Sequence, residues 1–261
     1  RHAIHLFEAM ERFIYARSRH VTVISEWFRR RLLDKGVAAD KMSVIPNFVD
    51  TDFIAPSAND SRGHNGFALA HQLTDKFVVL YAGNIGLTQG METILAAAQQ
   101  LTHLPDLRFV IVGDGTRRLW LAEQLAANPL PNLMLLPYQP RSTVPQMYAA
   151  GDLCLVPLKR GTAQETFPSK IYTIMGAGRA VVAAADADSE LAWVVQQSGC
   201  GWAVPPDDAC ALAQTIEQAY HSRQELDQMG AQGRAYVVEH HSRRAVAERY
   251  DQLIRAVVDG R

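Results

Sequence analysis

FVVLYAGNIGLTQGMETILAAAQQL, residues 77–101, decides the fold. A short apolar run stops at Gly83, a glycine-rich connection follows, and METILAAAQQL has the spacing of an amphipathic helix. The same beat continues along the chain. LRFVIVGDG (107–115) leads into TRRLWLAEQLAAN (116–128). NLMLLPY (132–138) leads into a helix around VPQMYAAG (144–151), and DLCLVPL (152–158) is the next strand. RAVVAA (179–184) precedes SELAWVVQQSG (189–199), and GWAV (201–204) precedes DDACALAQTIEQAY (207–220). Continuous apolar strands alternating with helices predict a parallel sheet covered on both faces. The fold class is therefore α/β, a Rossmann-like doubly wound layer.

Upstream the pattern changes. Residues 1–16 are predicted helical, HVTVIS (20–25) a strand, and EWFRRRLLDKG (26–36) a helix closing on Gly36. MSVIPNFVDTDF (42–53) is extended around Pro46, as a crossover between domains would be, and DSRGHNG (60–66) is a polar loop. One strand and two helices are too little for a domain. They are expected to be the last elements of a preceding domain, giving boundaries at 1–46, 47–241 and 242–261. SRRAVAERYDQLIRAVVD (242–259) is a long amphipathic helix expected to return to the front piece. Arg1 opens directly into a helix already under way, as in a piece of a longer chain.

Composition narrows the function. Of 261 residues 48% are hydrophobic and 20% charged, with a formal net charge of -1, which offers no bulk attraction for nucleic acid. No run reaches the roughly 18–20 apolar residues of a spanning helix. Cys154, Cys200 and Cys210 have no CxxC spacing, and the first two sit in apolar contexts that read as core. The nine histidines lack metal-ligand spacing, so no metal is expected, and His240 and His241 read as a helix surface. Arg29, Arg30 and Arg31 beside Trp27 and Phe28 read as a solvated helix face.

Ligands of open parallel sheets gather at the carboxyl ends of the strands. Three such ends here are suggestive: AGNIGLTQG (82–90), GDG (113–115, with Gly113 and Asp114), and the turn at Pro168, Ser169 and Lys170. Ser169 reads as the N-cap of a helix that Gly178 stops. Lys170 then falls in the first turn, where a cation meets the positive end of the helix dipole. It belongs there if an anion is bound, with the lysine and the backbone N–H groups holding one phosphate. Singly, GDG is a tight turn, Lys170 a solvated charge and Glu165 an exposed carboxylate. Their convergence on one sheet edge carries the reading.

In order along the chain, VTVISEWFRRRLLDKGV (21–37), KMSVIPNFVD (41–50), YAGNIGLTQGMETIL (81–95), FVIVGDG (109–115), LPYQPRSTVPQMYAAGDLCLVPLK (136–159), FPSKIYTIMGAGRAVVA (167–183) and GCGWAVPPDD (199–208) resemble the retaining family-4 glycosyltransferases of GT-B fold. The PSKIY…GAGR form is similar to the O-antigen and colanic-acid polysaccharide subgroup. The resemblance implies the C-terminal, donor-binding half of such an enzyme with a remnant of the N-terminal one. It implies a nucleotide-sugar donor, UDP-linked and often N-acetylated, and a polysaccharide-precursor acceptor, lipid-linked at the membrane surface. It also implies retention at the anomeric carbon, no metal or other cofactor, and a location in the cytoplasm or at the inner face of the plasma membrane. A Rossmann-sized acceptor domain of about 150 residues would precede Arg1, and without it transfer is expected to be poor.

The resemblance also assigns roles. Glu165 would contact hydroxyls of the transferred sugar, with Thr173 eight residues on, where the family has a second glutamate for the ribose. Asn84 and Gln89 stand where the family has an arginine and a lysine for the diphosphate. Lys170 is then the expected source of positive charge, with Lys159 and Arg160 as second choices. Tyr138 and Gln139 would edge the base, and Gly83 would let the backbone approach the phosphates. Competing readings are a non-catalytic nucleotide-binding module, a GT-B-type UDP-sugar epimerase and, weakest, a dehydrogenase, for which GxGxxG is lacking.

Overall fold

The computed structural model describes residues 2–56, 63–163 and 166–259. The chain forms two compact units, Arg1–Phe48 with His240–Arg261, and Val49–Glu239.

In the smaller unit, α1 (His2–Arg17) precedes β1 (Val21–Val23), α2 (Glu26–Asp34) and β2 (Met42–Val44). The two strands pair in parallel, Val21 opposite Met42. Ser25 starts α2 by accepting a hydrogen bond from the Phe28 N–H at 3.3 Å, and its extended backbone is that of an N-cap. Val23, Leu32, Val37 and Met42 form a small buried cluster. Leu6, Phe7, Met10, Phe13 and Ile14 repeat at helical spacing along α1, and each is at least half exposed.

The larger unit contains α3 (Gly66–Ala70), a one-turn helix that starts at the last residue of the stretch read as polar loop. Buried Asn65 caps it by accepting from the Ala68 N–H at 2.9 Å, while its amide donates to the Gln146 carbonyl. The elements that follow are β3 (Phe77–Ala82), α4 (Met91–Gln100), β4 (Leu107–Val112), α5 (Arg118–Ala127), β5 (Leu133–Leu136), α6 (Val144–Ala150), β6 (Leu153–Pro157), α7 (Lys170–Gly176), β7 (Ala180–Ala184), α8 (Glu190–Ser198), β8 (Gly201–Val204) and α9 (Ala209–His221). All six strands run parallel in the order β5-β4-β3-β6-β7-β8. That is the doubly wound order, and its reversal point lies between β3 and β6.

β3 shows why both faces must be covered. Val78, Leu80 and Ala82 enter one apolar layer with α3, α6, α7 and α8; Phe77, Val79 and Tyr81 enter the other with α4, α5 and α9. Each fully buried Val, Leu or Ile contributes about 1.5–3 kcal/mol, so these layers carry the stability. Cys154 and Cys200 are buried in the first of them, while Cys210 is exposed.

α10 (Arg223–His241) is a nineteen-residue helix that the sequence reading left unassigned. Its polar surface and two interior glycines weaken the local signal, since glycine costs about 1 kcal/mol in a helix. Packing supplies the reason for both. A Cβ on Gly230 would lie 2.1 Å from the Gly178 carbonyl oxygen, and one on Gly233 2.8 Å from the Cys200 Cβ.

α11 (Arg243–Val258) closes the chain within the smaller unit, started by Ser242, which accepts from the Ala245 N–H. His241, expected on a helix surface, is instead buried, with its ring Nδ1 3.2 Å from the Asn47 carbonyl oxygen. Burial lowers its pKa to about 4, with the nearby His240 and Arg249 charges adding to the effect. The unfolded chain therefore binds a proton that the folded one refuses between about pH 6.5 and 4. Stability should fall across that window by on the order of 2–3 kcal/mol. Urea melts at pH 7 and 4.5 on wild type and His241→Gln check it; an equal acid loss in both would refute the assignment.

Candidate donor-binding site

The site lies at the carboxyl edge of the sheet, at the reversal point between β3 and β6. The loops after β3 and β4 are laced together by backbone. The Gly83 N–H donates to the Val112 carbonyl at 2.9 Å, Ile85 to Asp114 at 2.7 Å, and Arg117 back to Ile85 at 2.9 Å. This needs two backbones in contact, which Gly113 provides: a Cβ there would lie 1.9 Å from the Gly83 carbonyl oxygen. Behind them, the Gly90 N–H donates to Pro157 and the Lys159 N–H to Thr88, so the β3–α4 loop is also sewn to the end of β6.

A pocket of about 250 Å³ opens on this scaffold. Ala82 and Gly83 from the β3 end, Tyr138 and Gln139 after β5, Val144, Met147 and Tyr148 on α6, and Lys170 and Thr173 on α7 line it with Val112. Five residues expected from sequence, Gly83, Tyr138, Gln139, Lys170 and Thr173, thus meet in one place. Tyr138 is 73% exposed at the rim, the position for an edge that a planar base could lie against. Gln139 donates its side-chain amide to the Pro137 carbonyl.

Lys170 is the unusual member. Its Nζ is buried and has no hydrogen-bond partner among the described residues. It lies 4.0 Å from the centroid of the Tyr81 ring and beside the bare Cα of Gly83, where a Cβ would come within 2.8 Å of it. Burial lowers the Lys170 pKa to about 7. A cation held out of water without a counter-charge is costly. The stretch is therefore arranged for something other than stability alone.

Other expectations are corrected. Ser169 occupies the N-cap position of α7, but its backbone is already helical and its side chain makes no capping bond. The Ile171 and Tyr172 N–H groups donate to the Pro168 and Ser169 carbonyls at 3.1 Å, so a tight first turn engages two of the amides expected to help hold an anion. Gln89 turns into its own loop, accepting from the Gly86 N–H and donating to Thr88. The Asn84 amide packs between Gly86 and Gly115, and Asp114 accepts from the Gly115 N–H at 2.7 Å. These three shape the loops rather than line the pocket. Of the second-choice cations, Lys159 pairs with Glu92 at 3.2 Å, and the Arg160 guanidinium donates to the Pro206 carbonyl. Arg117 also pairs with Glu92. Glu165 lies outside the described residues.

Sequence reasoning missed Tyr81 and Tyr148. Both are buried tyrosines in apolar segments, where composition reads core and nothing marks proximity to a lysine that follows Tyr81 by about ninety residues and Tyr148 by about twenty. Among the described residues no group of three or more His, Cys, Asp or Glu could hold a metal ion.

Comparison with known proteins extends this picture. A family model described as glycosyl transferases group 1 matches residues 69–236, and one described as glycosyltransferase family 4 matches residues 2–53. WcaI of Escherichia coli (strain K12), named as a colanic acid biosynthesis glycosyl transferase, is 33% identical over 207 residues, covering 77% of this chain and 49% of WcaI. WbjE of Pseudomonas aeruginosa, named as a glycosyltransferase, is 24% identical over 256 residues, covering 98% of this chain and 62% of WbjE. The chain thus spans between about half and two-thirds of the length of these relatives. Among solved structures, a sucrose-phosphate synthase from Thermosynechococcus elongatus superposes with a TM-score of 0.79 at 23% identity over 97% of this chain and 62% of its own. Anabaena HepE, crystallised with UDP and glucose, gives 0.78 at 20% identity over 92% and 63%. These structural likenesses establish the fold, Rossmann-like and of GT-B kind. With a family model spanning residues 69–236, most of the larger unit, the chain belongs to the group 1 glycosyl transferases.

Proposed function

We propose that this chain is the donor-binding part of a glycosyltransferase, taking a sugar from a UDP-linked donor, N-acetylated in one version of the reading, and passing it with retention to a polysaccharide-precursor acceptor. The observation that carries the reading is the Lys170 ammonium, without a hydrogen-bond partner among the described residues, inside a pocket at the reversal point of the sheet. A diphosphate there would supply the missing counter-charge, and the desolvated lysine would stabilise it as the leaving group departs. Gly83 leaves room for the phosphates, Tyr138 and Gln139 border the base, and Thr173 offers a hydroxyl to the ribose. Glu165 remains the proposed contact to the sugar. No metal enters the scheme.

The acceptor side is proposed to come from further chain of the kind the longer relatives carry, with the exposed apolar residues of α1 as the surface it would cover. A lipid-linked acceptor at the inner membrane face would suit the colanic acid biosynthesis in WcaI's name. No helix of the described residues is long and apolar enough to cross a membrane.

Calorimetry with UDP-glucose, UDP-N-acetylglucosamine, GDP-mannose and ADP-glucose tests the reading. The UDP sugars should bind, and their affinity should fall by up to about tenfold per pH unit above pH 7, where the empty site's lysine loses the proton the diphosphate needs. Both phosphates of these donors are esterified and do not titrate in that range. Absence of binding by all four would defeat the proposal. A second reading, nucleotide binding without transfer, is favoured by the inward-turned Asn84 and Gln89. Sugar transfer by the longer protein carrying this chain would dispose of it.

A further inference from the structure

We infer that Tyr81 is a positioning residue for the donor site: its ring fixes where the Lys170 ammonium stands, and its hydroxyl fixes the loop that faces the phosphates. The inference rests on the donor-binding reading of the pocket. Tyr81 is fully buried at the end of β3, one residue before the pocket wall begins at Ala82. Its hydroxyl donates to the Asn84 carbonyl, which caps the turn from β3 into the glycine-rich loop. Its face carries the Lys170 Nζ at 4.0 Å from the centroid. One side chain therefore touches both parts expected to meet a diphosphate.

Chemistry gives each contact a purpose. A buried ammonium with no carboxylate partner among the described residues would otherwise swing to water, leaving an anion site to be rebuilt at every binding event. The electron-rich ring face holds it without neutralising it, so its charge stays available to a ligand. A carboxylate in the same place would hold the lysine more strongly and compete with the phosphate. Gly83 completes the arrangement, because any side chain there would collide with the Lys170 Nζ. The phenol further sets the distance between the cation and the loop backbone, since ring and hydroxyl belong to one rigid plane. Phenylalanine would supply the first function, leucine neither.

The test uses the 261-residue chain with lysine labelled at Cε, and UDP-glucose as probe. Without ligand, the Lys170 methylene protons should be shifted upfield by the ring current, unchanged in Tyr81→Phe and lost in Tyr81→Leu. Calorimetry should show Tyr81→Phe binding about threefold to tenfold more weakly than wild type, and Tyr81→Leu about tenfold to thirtyfold. Recovery of binding from leucine to phenylalanine together with return of the Lys170 ring-current shift is the signature that a merely structural role would not give. An unshifted Lys170 resonance in the folded wild type overturns the inference, as does equal affinity of the leucine and phenylalanine variants. If wild type fails to bind UDP-glucose, the donor reading fails and the assignment of Tyr81 to a donor site goes with it. The ring-current shift still reports separately on whether the contact exists. Tyr81→Phe, which deletes one oxygen, keeps the test open if leucine unfolds the chain.

Discussion

Lys170→Met should do two opposite things: weaken UDP-sugar binding by about tenfold to a hundredfold, and make the protein more stable. The binding loss follows from removing a charge-assisted contact in a buried site. The stability gain follows from the direction of the pKa shift. Burial pulls the Lys170 pKa from its ordinary value near 10.5 to about 7, so the folded state holds this proton less tightly than the unfolded chain does. The cost of the buried charge is present in full below about pH 7. It shrinks as pH rises towards 10.5, where lysine is neutral in both states. At pH 6 methionine, which nearly matches the stem in shape, should therefore stabilise by on the order of 2–4 kcal/mol. That corresponds to roughly 5–10 °C in Tm for a unit of this size. Urea melts of both proteins at pH 6 and 9.5 decide it. A variant less stable than wild type at pH 6 would mean that the lysine is paid for by interactions the structure does not contain. Residues that cost stability without a structural return concentrate at functional sites.

Gly113→Ala should be among the most damaging single changes in the larger unit, on the order of 4 kcal/mol or more. The residue has φ +155°, which L side chains rarely adopt, and its added Cβ would lie 1.9 Å from the Gly83 carbonyl oxygen. Neither partner can yield. The Gly113 N–H donates to Leu136 and the Gly83 N–H to Val112, so both backbones are held by the strand ends. Equilibrium denaturation and UDP-glucose titration should show both stability and affinity falling together. Gly161→Ala separates the two contributions. It has φ +75° but nothing within 4 Å of the added Cβ, so it should cost only about 1–2 kcal/mol. Similar costs at both positions would show that the close approach of the two loops is not what holds Gly113.

The periodic elements of the larger unit were legible because their information is local. Six apolar runs alternating with amphipathic stretches leave few arrangements other than a parallel sheet covered on both sides, and each predicted strand from residue 77 onward is present. The helix at 223–241 was not legible, because two glycines and a polar surface argue against a helix locally. What favours it is the backbone of Gly178, forty-five residues and more away in sequence. His241 misled for the same reason: one ring nitrogen meeting the Asn47 carbonyl is a contact no spacing encodes.

The candidate site divides in the same way. From the sequence came the identity of the sheet edge and five residues that line one pocket there, because strand ends, glycine turns and a lysine beside a helix start are all chain-local signals. Tertiary structure alone decided how those residues work. It closed the first turn of α7 on its own amides, turned Asn84, Gln89 and Asp114 into loop architecture, engaged Lys159 and Arg160 elsewhere, and laid Lys170 on the Tyr81 ring. Whether a charged side chain is solvated, paired or left buried depends on which distant segments converge around it, and that is fixed only when the sheet assembles.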